Sequence, residues 1–390
     1  MRGRIPAAMA CALTAGAATA EQVRIDLIER QVTPPPILSN MIAPPADLGA
    51  AGARLAVTDI ATTGKFMGHD YALHETIVAP EAEFLPAVRA ALADGARLLV
   101  VKAPPADLLA LADLPEAADA VIFNSSAPDD TLRGADCRGN LLHTTPSLAM
   151  RADALSQFAL KKQWTDLALV QGPNPEDAAF AEALRRSLTK FGIKVKGEKG
   201  WAFDANMRRV ASAEVPLFTQ DLPDHDLLLV ADERGDFGRY IAYNTWVPRP
   251  LAGSEGIIPK GWSGVVEQWG AAQLQGRFRD LAGREMQTED FGAWAAVSAI
   301  GEAVTRSKTA DPAALRAYLL SDQFRLAGFL GTPLSFRHWD GQMRQPVPLV
   351  TDRAVVGLAP LEGFLHERSE LDTLGQDLPG TECTRFGEMP

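Results

Sequence analysis

Residues able to do chemistry are present in this chain, but not in the groupings that catalysis needs. The six histidines, His69, His74, His143, His225, His338 and His366, are scattered, with no pair at the spacing that puts two metal ligands on one helix face. There is no Gly-x-Ser-x-Gly elbow, no phosphate loop closing on Lys-Ser or Lys-Thr, and no Gly-x-Gly-x-x-Gly after a strand. Asp236-Phe237-Gly238 copies a kinase triplet without the other kinase elements. Neither catalysis nor a catalytic cofactor nor a metal is expected. What the chain offers instead is polar and aromatic residues at the ends of apolar runs, where α/β proteins bind small molecules. These are Arg30, Lys102, Asn124, Ser125, His143, Thr144, Gln171, Trp201, and Asp232 with Arg234.

The elements that must position them are clearest from Asn140 to Asp204. Thr145-Pro146 reads as an N-cap with proline at the first helical position, and Leu148, Ala152, Leu155 and Ala159 share one helix face. The run Leu167 to Val170 reads as a buried parallel strand. Asn174-Pro175 opens a second helix with Glu176 and Asp177 in its first turn, where the helix dipole favours negative charge. Phe180, Leu184, Leu188 and Phe191 form its apolar stripe, Gly192 stops it, and Ile193 and Val195 alternate into the next strand. This is a βαβαβ unit. Its free edge, at the carboxyl ends of the strands, carries His143-Thr144-Thr145, Gln171-Gly172-Pro173 and Trp201.

The same alternation runs upstream and downstream. Val23 to Leu27 is strand, followed by a proline-rich loop and a helix from Asp47 that stops at Thr63-Gly64. Strands follow at Tyr71 to Val78, Leu98 to Val101 and Ala120 to Phe123, with a helix over Phe84 to Ala93. After Trp201 the pattern predicts a helix near Asn206 to Ala213, strands at Asp226 to Val230 and Pro250 to Ala252, and helices at Trp262 to Leu281, Thr288 to Val304 and from Asp311-Pro312. Leu334 to Val350 alternates around the turn signal Asp340-Gly341, and the tail beyond Leu358 reads as polar and irregular. The fold class is α/β.

With 390 residues the chain is expected to form about two domains. Arg2 and Arg4 precede an apolar run ending at Ala18-Thr19-Ala20, which reads as a signal peptide over residues 1–20. Its removal takes the net charge from −11 to −13 by the loss of two arginines. That balance disfavours nucleic acid and anionic membrane as partners. Of the three cysteines, Cys137 and Cys383 then remain, with two outcomes open: a disulfide pinning the tail, or two separate thiols.

The order of several weak motifs resembles the periplasmic solute-binding proteins of ABC importers, of the branched-chain amino acid type. The motifs are Asp59-Ile60, Gly64-Lys65-Phe66-Met67-Gly68, Leu142-His143-Thr144-Thr145, Gly253-Ser254-Glu255-Gly256, the helix carrying Trp294, and Gly331-Thr332-Pro333-Leu334-Ser335-Phe336. The segment 34–40 and the run Gly261-Trp262 with Glu267-Gln268-Trp269-Gly270 resemble the branch associated with pyrroloquinoline quinone (PQQ)-dependent catabolism. The resemblance implies a type I periplasmic binding protein fold, two βαβ lobes joined by three hinge crossings. It assigns 21–145 and 257–332 to the first lobe, 146–256 and 333–358 to the second, and 359–390 to a tail. It implies a periplasmic monomer that holds a small molecule between its lobes, serves ABC transporter membrane subunits and catalyses nothing.

Ligand residues follow from the same resemblance. Trp262 is expected to face the gap, and a flat ligand such as PQQ would stack on it and on Trp201, with its carboxylates on Arg30, Lys102 or the strand-end amides near His143 and Thr144. Glu255 matches the carboxylate that holds a substrate ammonium in amino-acid binders, which favours an amino acid or a small carboxylic acid as the alternative cargo.

Overall fold

The computed structural model describes residues 21–33, 43–203 and 207–386. The expected signal peptide and the 34–40 segment lie outside them, as does the start of the helix expected near Asn206. A first parallel sheet consists of β1 (Glu21–Arg30), β2 (His69–Val78), β3 (Leu98–Lys102), β4 (Val121–Asn124) and β5 (Leu141–His143), in the order β2-β1-β3-β4-β5. Helices α1 (Ala50–Met67), α2 (Phe84–Ala93) and α3 (Pro105–Ala112) connect its strands. The chain then forms α4 (Leu148–Lys161), β6 (Asp166–Gln171), α5 (Pro175–Lys190), β7 (Lys194–Gly200), α6 (Ala211–Thr219), β8 (Leu227–Ala231), α7 (Gly238–Ile241) and β9 (Leu251–Gly253). These strands make a second parallel sheet, β7-β6-β8-β9.

The strands β3, β4 and β8 are buried along nearly their whole length because helices cover both faces, which explains their unbroken apolar sequences. After β10 (Ile258–Pro259) the chain supplies α8 (Ala271–Ala282), α9 (Thr288–Ser307) and α10 (Pro312–Leu319), all three of which contribute to the core of the first sheet. The short hairpin β11 (Ser335–Phe336) and β12 (Met343–Arg344) turns through Gly341, at φ 69°. Strands β13 (Val347–Val350) and β14 (Val355–Ala359) complete an antiparallel sheet with β10.

Packing locates the passages between the two bodies. Phe336 and Met343 lie in the first core, whereas Val347 and Leu349 lie in the second, so the last return falls between residues 343 and 347 rather than at 332. Likewise β10 pairs with β13, so the preceding passage follows Pro259 rather than Gly256. Cys137 and Cys383 form a disulfide over a sequence separation of 246 residues.

Several helix ends differ from expectation for identifiable reasons. Helix α1 runs through Gly64 and ends at Gly68, which takes the left-handed conformation. Gly64 serves packing, since a Cβ there would meet the Tyr71 ring at 2.6 Å. Helix α4 is capped by Ser147, whose hydroxyl accepts from the Met150 amide, and not by Thr145. Helix α6 begins at Ala211, and α8 begins at Ala271 after Gly270 at φ 85°, so residues 262–270 are loop. The sequence pattern passed over α3, although proline at its start and Asp107 in its first turn mark it. Nor is the tail merely polar, because Leu371 and Leu374 are buried.

One carboxylate joins three of these pieces. Fully buried Asp290 accepts from the Gly49 amide at the start of α1, from the Gln287 amide that caps α9, and from both terminal nitrogens of Arg284 at 2.7 and 2.9 Å. Asp290→Ala strands those donors and is expected to lower the unfolding free energy by about 3 kcal/mol. Urea denaturation followed by circular dichroism reads this, and a loss below about 1 kcal/mol would show that solvent replaces the carboxylate.

Candidate functional site

The carboxyl ends of both parallel sheets face a cleft of about 1140 Å³, bounded by the passages between the lobes. From the first side it is lined by Leu48, Ser126, Pro128 and Met286–Glu289, from the second by Arg151, Asp232–Gly235, Ser254 and Asp352, and along the passages by Thr145-Pro146 and Ile258–Val265. The second-lobe wall is a fixed polar network. Arg151 on α4 pairs with both oxygens of Glu233 at 2.6 and 2.9 Å, and its guanidinium lies over the Phe180 ring at 4.5 Å. Ser254 donates to Glu233 at 2.8 Å and accepts from the Asp232 amide. Burial works against both charges of the pair, and each partner outweighs it: Glu233 is held below its ordinary range and Arg151 above its own. Asp232 accepts from the amides of Asp236, Phe237 and Gly238, while burial pushes its carboxyl up.

Three of the twelve residues proposed from sequence line this cleft: Asp232, Arg234 and Trp262. Trp262 is only 1% exposed; it stacks on Phe291 at 4.8 Å and donates its indole N–H to Gln275. It is a wall with little open ring face. Trp201 is not in the cleft but in the second-lobe core, stacked on Phe237 at 4.4 Å. Arg30 donates to the carbonyls of Ala79, Pro80 and Ala82 and so holds the turn after β2. Lys102 is bound to Glu29 at 3.0 Å and to the Leu48 carbonyl at 2.8 Å. Gln171 accepts from Arg185, and Glu255 sits against Gly238 outside the cleft lining.

The strand-end amides expected to receive an anion are already used. The Leu148 and Ala149 amides at the start of α4 donate to the Pro128 carbonyl and to Asp130. The Thr144 amide donates to the Asn124 carbonyl, and its hydroxyl to Gly292. Asn124 spends its side chain on Ser126, Ala127 and His143, and Ser125 donates to Val101. His143 is wholly buried, and burial followed by the nearby charge of Arg133 holds its pKa well below the ordinary value, so its ring is neutral. These four residues build the first passage instead of lining the site.

No protein-family model and no curated protein matches the chain. Solved structures do. A branched-chain amino acid ABC transporter periplasmic ligand-binding protein from Burkholderia xenovorans superposes with a TM-score of 0.69 at 15% identity, over 94% of this chain and 100% of that one. The chain has the type I periplasmic binding protein fold. A solute-binding protein of an ABC transporter from R. palustris in complex with benzoate gives 0.64 at 14%, over 93% and 99%. The leucine-, isoleucine-, valine-, threonine- and alanine-binding protein from Brucella ovis, in a closed conformation, gives 0.66 at 14%, over 85% and 89%. In a type I periplasmic binding protein fold the cleft lies where two strand-end surfaces oppose, which is where Arg151, Glu233 and Lys260 are found here.

Arg151, Glu233, Ser254 and Lys260 were missing from the sequence-based set. Arg151 lies one turn inside a helix and resembles any solvent-facing arginine until the fold sets it opposite the β8 loop. Lys260 follows β10, and its ammonium has no hydrogen-bond or ion-pair partner among the described residues. A lowered folded-state pKa makes Glu233 stabilising above its ordinary value of 4.5, and that contribution is lost as pH falls below it. Glu233→Gln is therefore expected to destabilise the protein at pH 7 by roughly 3 kcal/mol and to flatten the acid limb of the stability curve. Parallel acid limbs in thermal melts from pH 7 to pH 3 would place the acid sensitivity elsewhere.

Proposed function

We propose that this protein is a periplasmic solute-binding component of an ABC importer, which captures a small organic carboxylate between its lobes and passes it to the membrane subunits. The observation carrying this is the two-sided cleft in which Lys260 is a half-buried cation with no partner among the described residues. An unpaired ammonium beside the joint is a ready charge-assisted donor for a carboxylate. Arg234, paired only at 3.5 Å with Glu176, supplies a second cation on the opposite wall.

PQQ belongs to this carboxylate class, and its rings would lie against the edge that Trp262 leaves on the lining. The hidden face of that indole gives less stacking area than the sequence suggested. Benzoate in the R. palustris neighbour supports aromatic acids as the wider class. An amino acid is the second reading, favoured by Glu289 and Asp352, two acidic side chains on the lining that could take an ammonium.

Thermal-shift and calorimetric titration with PQQ, benzoate and leucine separates these cargoes, because a ligand of the native state stabilises it according to its excess over Kd. A PQQ or benzoate response that Lys260→Ala weakens tenfold or more, equivalent to about 1.4 kcal/mol, is the expected result. A response to leucine alone would move the assignment to amino acids. Binding of PQQ or benzoate undiminished in the Lys260 variant would remove Lys260 from the site.

A further inference from the structure

The C-terminal tail touches both lobes and the last passage between them. Its first part belongs to the second lobe: Leu374 lies in that core, the Gly375 amide donates to Asp153 at 2.7 Å, and Lys190 donates to the carbonyls of Thr373 and Gly375. Its end belongs to the first lobe. Cys383 is disulfide-bonded to Cys137, and Phe386 packs on the first core beneath the Arg316 guanidinium, 5.5 Å away. The Phe386 ring occupies the space a side chain at Gly341 would need.

At its second-lobe end the tail also grips the β11–β12 hairpin. Asp372 accepts from Arg337 at 3.0 Å and from Arg344 at 2.7 Å, and all three side chains are buried or nearly so. Arg337 also donates to the carbonyls of Leu371, Leu374 and Gln376. A cavity of about 470 Å³ lies under this crossing, reached by Arg133 and Asp340 from one side, Asp153 from the other, and Gly375 and Glu382 of the tail. Such a void leaves room for the joint to move while the tail stays attached at both ends.

We propose that residues 371–386 form a hinge strap that limits the separation of the lobes and holds the unliganded protein near the lobe spacing described here. The stretch from Gly375 to Cys383 is folded, with the Gly380 amide donating to the Asp377 carbonyl. Fully drawn out, its eight residue steps reach about 28 Å at most. Opening that draws Gly375 away from Cys383 therefore works against this folded stretch and stops at that length. The strap makes closure less costly, because apparent affinity rises with the fraction of molecules already competent to bind. Its existence is independent of which solute the cleft takes; only this consequence for affinity rests on the solute-binding reading.

The test uses the full unliganded chain with three changes: Cys383→Ser, Asp372→Asn, and a Gly-Gly-Ser insertion after Gly380 that keeps both anchors. Small-angle scattering and hydrogen exchange of peptides covering 337–345 are the readouts. The insertion is expected to increase the radius of gyration and to raise exchange at 337–345 tenfold or more, with β3 and α9 unchanged, and Cys383→Ser is expected to exceed it. Should Cys383→Ser unfold globally, the insertion decides. Parent-like radius and parent-like exchange at 337–345 in the insertion variant, with only the tail exchanging faster, would overturn the strap. Failure to bind any carboxylate alongside a looser insertion variant would overturn the cargo reading and leave the strap standing.

Discussion

A guanidinium buried away from water governs the joint on which everything else turns. Arg133 donates to the carbonyls of Ala127, Asp129 and Thr145 and to the side chain of Gln342, which in turn donates to the Thr145 and Met343 carbonyls. One residue thus ties the loop after β4 to the first passage and to the last. Burial lowers its pKa to about 10, against the pull of Asp130, Asp129 and Asp340, yet it remains charged at neutral pH. No carboxylate touches it directly; four oxygen acceptors neutralise it through dipoles. That arrangement demands all four partners at once, so the passages cannot drift independently.

The consequence reaches the binding surface. Because the joint uses the amides of Thr144, Leu148 and Ala149 together with the side chains of Asn124, Ser125 and Thr144, the strand-end donors that usually greet an anion are unavailable. The cleft lining is left to side chains that project past the joint. Of these, Arg151 and Glu233 neutralise each other, and the ammonium of Lys260 has no partner among the described residues.

The alternation of short apolar runs with amphipathic helices was legible because burial on both faces leaves a mark at every strand position. Leu98–Val101 and Leu167–Val170 are such runs, and the stop at Gly192 follows from a backbone only glycine adopts easily. The site was much less legible, and for one reason. Sequence shows that a polar residue stands at a strand end but not whether a neighbouring carbonyl has already claimed it, as Val101 claims Ser125 and Leu48 claims Lys102. Trp201 misled in the same way: a strand-end indole looks open until Phe203, Phe218 and Phe237 close around it. Arg151 and Lys260 carry no local signature, since their roles arise from the approach of segments separated by tens of residues.

The two lobes also differ in what their mobility would cost. In the first, Asp290 locks α1 to α9, and Gly292 lets α9 approach the Ser125 carbonyl so closely that a Cβ would lie 2.4 Å from it. In the second, α4 and α5 meet through buried polar contacts, Ser156 with Ser187 at 2.8 Å and Ser187 with Asp153 at 2.6 Å. Both interiors are thus held by contacts that lose their partners if they shift even slightly. Between the lobes both kinds of contact occur: Arg186 with Asp130 at 2.7 Å lies near water, where solvent can replace the partner at little cost, whereas Asp372 with Arg337 and Arg344 is buried. The exposed pairs are the ones that a rotation absorbed by the passages would break at least cost.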